Sequence, residues 1–160
     1  MAALDSWVRI GPLDLFSPGK AMPFQIQERQ VILIRLPESL PKSRRGIKVD
    51  SSPWVASGPE VIAMDRLCYH AGGDLAEGDI EDLASRAVLR CPVHGFAFDL
   101  ESGEQLLQER SGRVVGAGVE CRQRIHQTRV QEEHVWVCLN KSSEEYASDQ
   151  WQTSKRGWTA

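Results

Sequence analysis

No stretch of this 160-residue chain approaches the roughly 20 consecutive apolar residues that a membrane-spanning helix needs. No basic run is long enough to hold nucleic acid, and a formal net charge of -3 gives no reason to expect that partner. The opening segment from Met1 to Trp7 lacks the basic and long apolar regions of a secretory signal, and Asp5 and Asp14 stand where a transit peptide avoids acids. The expectation is a soluble, intracellular (cytoplasmic) protein with no membrane anchor. Cysteine is scarce, with four residues at 68, 91, 121 and 138. The even count could form two disulfides, but nothing suggests secretion, and a chain this long can bury a core without staples. Internal repeats and sustained helical periodicity are absent as well.

What is present is a series of short apolar runs separated by turn residues. Trp7–Ile10 alternates as a strand stopped by Gly11-Pro12, and Phe24–Ile26 and Val31–Ile34 read as a hairpin. Glu60–Met64 and Ala87–Arg90 read as strands that deliver the chain to Cys68 and Cys91. Phe96–Phe98 leads into a turn at 99–103, and Ile125–Val130 pairs with Val135–Leu139 across Gln131-Glu-Glu133. Residues 37–59 are polar and breaker-rich and read as a loop insertion. Residues 108–120 read as a second loop, and 141–160 as a polar, flexible tail. Many short strands with turn signals predict an all-β, antiparallel β-sandwich or small barrel.

Two of the cysteines lie just ahead of a histidine. Cys68-Tyr-His70 is followed, after twenty residues, by Cys91-Pro-Val-His94. Each half ends a strand and runs into glycine, Gly72 and Gly73 after the first and Gly95 after the second. Glycine lets a backbone approach a bound group closely and adopt conformations that a Cβ forbids. One Cys and one His from each of two loops supplies the ligands of a 2Fe–2S centre with two thiolates on one iron and two imidazoles on the other. The same four residues would also satisfy a closed tetrahedral zinc site, although common zinc patterns pair Cys with Cys and His with His.

The segments Cys68-Tyr-His-Ala-Gly-Gly73 and Cys91-Pro-Val-His-Gly-Phe96 resemble the two ligand boxes of Rieske domains. Trp7–Leu13 resembles the opening strand of Rieske ferredoxins, Phe98–Glu104 the turn after the second box, and Val135–Leu139 the closing strand. Residues 68–82 and 122–126 are similar to the soluble, stand-alone Rieske domain-containing proteins of animals. The resemblance implies a single Rieske domain over 6–140, with a cluster-binding subdomain at 66–100. It also implies one 2Fe–2S cluster on Cys68, His70, Cys91 and His94, with the cysteines on the buried iron and the histidines on the exposed one. The implied function is one-electron transfer without a catalytic site, between a ferredoxin reductase-like donor and an oxygenase-like acceptor. Two alternatives are a Rieske component of a multicomponent oxygenase and a structural zinc-binding interaction module.

Rieske subunits of cytochrome bc complexes carry an extra, disulfide-bonded cysteine in each box. This chain has Gly73 and Val93 at those positions. The serine and tyrosine whose hydroxyls bond the cluster and ligand sulfurs there correspond to Phe96 and Phe98 here. Losing those donors predicts a potential toward the low end of the Rieske range of about -150 to +300 mV.

Asp74, Glu77, Asp79, Glu81 and Asp82, with no Lys or Arg from Leu67 to Ser85, read as a solvated loop or as a negative rim that steers a basic partner. His126 and His134 lack ligand-spaced partners and read as structural or surface residues. Cys121 and Cys138 read as reduced thiols, Trp136 as core filling, and Tyr69 as a shield over the cluster.

Overall fold

The computed structural model describes residues 6–40 and 60–152. The proposed insertion at 37–59 therefore lies mostly outside the described residues, as does the end of the tail. Eleven strands form two antiparallel sheets. The first orders β1 (Trp7–Pro12), β11 (His134–Cys138), β10 (Ile125–Gln131), β4 (Val61–Asp65), β3 (Arg29–Arg35) and β2 (Ala21–Ile26). The second orders β5 (Asp79–Leu83), β6 (Arg86–Arg90), β7 (Ala97–Asp99), β8 (Gln105–Gln108) and β9 (Val114–Gly116). Among the described residues no helix is long and apolar enough to cross a membrane.

β3 and β4 are apolar on both faces because each face meets a different core. Val31, Leu33, Val61 and Ala63 point into one cluster with Phe16, Val135 and Val137. β11 and β3 are separated by two strands yet share that core, so the first sheet curls around it. Ile32, Ile34, Ile62 and Met64 point the other way, against Leu89, Phe98, Leu100 and the two cysteines Cys68 and Cys91. The period-2 alternation of a strand makes this division. It also fixes the second sheet and both Cys–His segments against the middle of the first.

The structure differs from the sequence expectation in four places. The second sheet runs to Gly116, beyond the expected limit of the subdomain at residue 100. The acidic stretch Asp79–Leu83 is an edge strand, with Ile80 packed inward and Asp79 and Asp82 exposed. β9 occupies part of the expected 108–120 loop. Trp136 is not core filling: Val135 and Val137 take the core face of β11, leaving Trp136 on the opposite face, where Arg129 lies over its ring and that of Trp7.

The part of the tail within the described residues, up to Gln152, is held to the body. Ala147–Trp151 is a 3-10 turn joined to the body through a buried charge network. Asp65 is wholly buried and accepts two hydrogen bonds from Arg29 at 2.7 Å, one from Ser148 at 2.6 Å, and a contact from His126 at 2.9 Å. Burial works to raise the Asp65 carboxyl, but Arg29 and His126 hold it below the ordinary carboxylate value. Asp149 in the tail accepts from Arg29 and, at 2.6 and 2.9 Å, from Arg124.

Candidate metal centre

The two Cys–His segments fold the same way. In the first, the Cys68 N–H donates to Gly73 O at 2.8 Å, and the Gly72 N–H returns to Cys68 O at 2.9 Å. In the second, the Cys91 N–H donates to Phe96 O at 2.7 Å, and the Gly95 N–H returns to Cys91 O at 2.9 Å. Both closures therefore fall four and five residues after the cysteine. Each loop takes a positive φ at the same step, +74° at Gly72 and +75° at Gly95, which is why both positions are glycine. Only the histidine differs, two residues after Cys68 and three after Cys91.

This repeated turn brings the four predicted ligands to adjoining loop tips as two pairs. Cys68 and Cys91 are buried at 2% and 3% exposure within the core shared with the first sheet. His70 and His94 are exposed, with ring centroids 4.7 Å apart. Burial pushes the Cys68 thiol up to about 12, and the neighbouring Cys91 sulfur adds to the rise. A buried thiol raised this far needs a bound cation to become a thiolate.

Among the described residues, no three His, Cys, Asp or Glu side chains gather closely enough to hold one metal ion. A mononuclear zinc needs its donors at about 2.0–2.3 Å from one point. A two-iron group takes two thiolates on one iron and two imidazoles on the other. Space is tight beside the sulfurs, since a Cβ at Gly73 would stand 2.9 Å from Cys91 Sγ and 2.7 Å from Val93 Cγ2. Gly73 and Val93 thus face each other, at the positions where the bc-type proteins carry their bridge. The donor set and this close glycine fit a 2Fe–2S cluster.

Aromatic rings line the same region. Phe96 stacks on His70, with centroids 4.4 Å apart and planes at 25°. Tyr69 lies between Phe96 and Phe98, at 6.1 and 5.9 Å. Its hydroxyl donates to Oε1 of the buried Gln105. Burial pushes the Tyr69 phenol up, and the nearby Cys121 thiol contributes in the same direction.

Gln123 is a positioning residue that the sequence reading missed. It is wholly buried, and its side chain brackets Cys68: Nε2 donates to Leu67 O at 2.8 Å, and Oε1 accepts from the Tyr69 N–H at 2.8 Å. A lone glutamine some fifty residues away in sequence carries no local signal of this role. Arg66 pairs with Asp74 at 3.0 and 2.7 Å and closes the base of the same loop.

The acids between the boxes are largely engaged. Arg66 holds the Asp74 carboxyl below its ordinary value, and Asp74 also caps the Ala76 N–H. Glu81 pairs with Arg90 at 3.0 Å, and Asp82 caps the Ser85 N–H at 2.9 Å. Glu77 and Asp79 are exposed, and neither has an ion pair among the described residues. His126 is buried between Asp65 and the Asn140 N–H, which donates to its Nδ1 at 3.0 Å, so Nε2 carries the proton toward Asp65. His134 meets Arg9 on the surface. Cys121 is half-buried and Cys138 buried, and neither forms a disulfide.

The family model for soluble Rieske-type ferredoxins matches residues 55–142. A human Rieske domain-containing protein is 36% identical over 95 residues, which is 56% of this chain and 60% of that protein. The chain thus matches about 60% of the length of this curated relative. Among solved structures, the ferredoxin of carbazole 1,9a-dioxygenase from Nocardioides aromaticivorans superposes with a TM-score of 0.57 at 20% identity, over 84% of this chain and 99% of that one. A protein described as an NADH-dependent nitrite reductase small subunit from Mycobacterium tuberculosis gives 0.62 at 20% identity, over 88% and 100%. At such identities the structural likeness shows the fold.

Proposed function

Since the chain belongs to the soluble Rieske-type ferredoxins, we propose that it passes single electrons through one low-potential 2Fe–2S cluster held by Cys68, Cys91, His70 and His94. The observation that carries this reading is the separation of the donors into a buried sulfur pair and an exposed imidazole pair on two identically closed loops. When bound, the cluster supplies a one-electron site whose charge is less negative than that of an all-cysteine centre. Cys68 and Cys91 would hold the inner iron, and His70 and His94 the outer one. Phe96 and Tyr69 keep water from the flank of this site, and the exposed histidine edge offers the short route for an electron.

A low potential is supported by the chemistry around the sulfurs. Phe96 and Phe98 have no hydroxyl to donate, and the Tyr69 hydroxyl is engaged with Gln105. Fewer donors leave the added electron less stabilised. The proposed partners are a reductase-like donor and an oxygenase-like acceptor, as the ferredoxin of a dioxygenase among the structural neighbours supports. The protein would act inside the cell as a carrier. A mononuclear iron site of its own would need two histidines and a carboxylate with open positions, but His126 and His134 are committed to separate contacts. The test is an iron and acid-labile sulfide assay followed by a potentiometric titration. Equal iron and sulfide, with a potential toward the low end of the Rieske range, is the expected result. A colourless protein with one zinc, or a potential well above zero, would overturn the reading.

A further inference from the structure

The segment Tyr146–Gln152 lies beyond the part of the chain that the family model matches, yet it reaches the first ligand loop. The Trp151 Nε1–H donates to Tyr69 O at 3.1 Å, and the Gln150 amide donates to the same carbonyl. That carbonyl sits on the peptide between Cys68 and His70. The Trp151 indole lies against Gly72, where an added Cβ would stand 3.2 Å from Cη2 and Cζ3. Gly72 therefore answers two demands at once, a positive φ and an aromatic ring in contact. Its counterpart Gly95 has nothing within 4 Å of an added Cβ.

The segment is anchored at three further points. Ser148 Oγ donates to the buried Asp65, three residues ahead of Cys68, and accepts from the Arg124 N–H at 2.9 Å. Asp149 bridges Arg29 and Arg124. The Gln152 side chain pairs with both the N–H and the C=O of Gln30, each at 2.9 Å.

We propose that Tyr146–Gln152 is a strap that fixes the Cys68–Gly73 loop and covers its outer side, with Trp151 as the positioning residue. The proposal rests on the cluster assignment made above. Two donors on the Tyr69 carbonyl set the peptide plane between the two ligands of that loop. The indole excludes water from the turn that must open before a ligand can leave. Loss of a bound cluster proceeds through such local openings, so the strap acts as a brake on it.

The test uses the full-length holoprotein. Iron and sulfide are measured first on the wild type; absence of a 2Fe–2S cluster overturns the cluster assignment, and the strap as a cluster brake with it. With a cluster present, visible absorbance is followed under excess chelator for W151F, which keeps a ring over Gly72 but loses the N–H, and for W151A, which loses both. Bleaching is expected to quicken about threefold in W151F, which loses one hydrogen bond, and about tenfold in W151A, which also loses the cover. The EPR spectrum of reduced W151A is expected to shift, because the peptide between two ligands has been released. Wild-type bleaching and an unchanged spectrum in W151A would overturn the proposal. So would faster bleaching that merely tracks a lower global unfolding temperature. If W151A does not load, W151F decides: an intermediate rate supports the strap, and a wild-type rate overturns it.

Discussion

The two ligand loops share a backbone and differ in what surrounds it. The Cys68 loop is held by Gln123 from beneath, by Arg66 and Asp74 at its base, and by Trp151 and Gln150 from outside. The Cys91 loop exposes Pro92, Val93, His94 and Gly95, and among the described residues its side-chain brace is Arg90, which donates to Gly95 O at 2.9 Å. The closure is common to both loops, and the support is not. Under the proposed strap, the braced Cys68 loop is the retaining side and the Cys91 loop the open one. Val93, at 54% exposure, stands on the open side next to His94.

The largest effects should ignore this difference. Cys68→Ser and Cys91→Ser are each expected to abolish bound iron, measured by metal analysis, since both sulfurs belong to the same pair. Substantial iron retained in one of them would break the equivalence of the loops.

Removing the braces should expose the asymmetry. Gln123→Ala leaves the buried Tyr69 N–H and Leu67 C=O without their partner and is expected to cost about 2–4 kcal/mol in denaturant unfolding. Arg90→Ala frees an exposed carbonyl and a surface ion pair and should cost less than about 1 kcal/mol. Equal costs would remove the contrast.

Acid should release the braced side first. Burial works against ionisation of Asp149, but Arg124, the Tyr146 N–H and Arg29 bring its carboxyl down to about 2 from an ordinary 3.8. Because the folded value is the lower one, this stabilisation is present above about pH 4 and is lost as pH falls through about 2. Melting temperature followed from pH 5 to pH 2 should fall more steeply in the wild type than in D149N. Parallel curves would contradict the role given to Asp149.

The smallest effect concerns charge. With Asp74 and Glu81 in ion pairs and the exposed Asp82 capping Ser85, Glu77 and Asp79 remain as the exposed rim acids outside any ion pair or cap among the described residues. Neutralising both should slow electron transfer to cytochrome c, a basic one-electron acceptor, by less than about threefold at low salt, measured by stopped flow. A tenfold change would restore the steering reading.

Much of this comparison was legible in the sequence, and its limits are physical. The two boxes are local, so residue type, spacing and glycine identify them together. The hairpins around residues 27 and 132 also show, because their alternation is strong. β5 was hidden because Asp79-Ile-Glu-Asp-Leu83 has no period-2 alternation: Ile80 packs against one cluster and Leu83, on the other face, against another, with acids around them. The turn after it, at Ala84 and Ser85, takes positive φ at both positions without the Gly or Asn that would announce it. Gln123 and Trp151 act over more than fifty and eighty residues of chain, a distance at which no periodicity connects them to Cys68. Trp136 could have been placed correctly, since alternation with Val135 and Val137 already puts it on the opposite face.

The proposed electron transfer requires the inner thiols and outer imidazoles to form one two-iron centre. Pulsed EPR on the reduced protein, grown with 15N-labelled histidine, tests this directly. Couplings from two histidine nitrogens are expected, reduced to one in His70→Ala or His94→Ala where any cluster remains. A wild-type cluster with no histidine coupling, or couplings unchanged by either substitution, would contradict it.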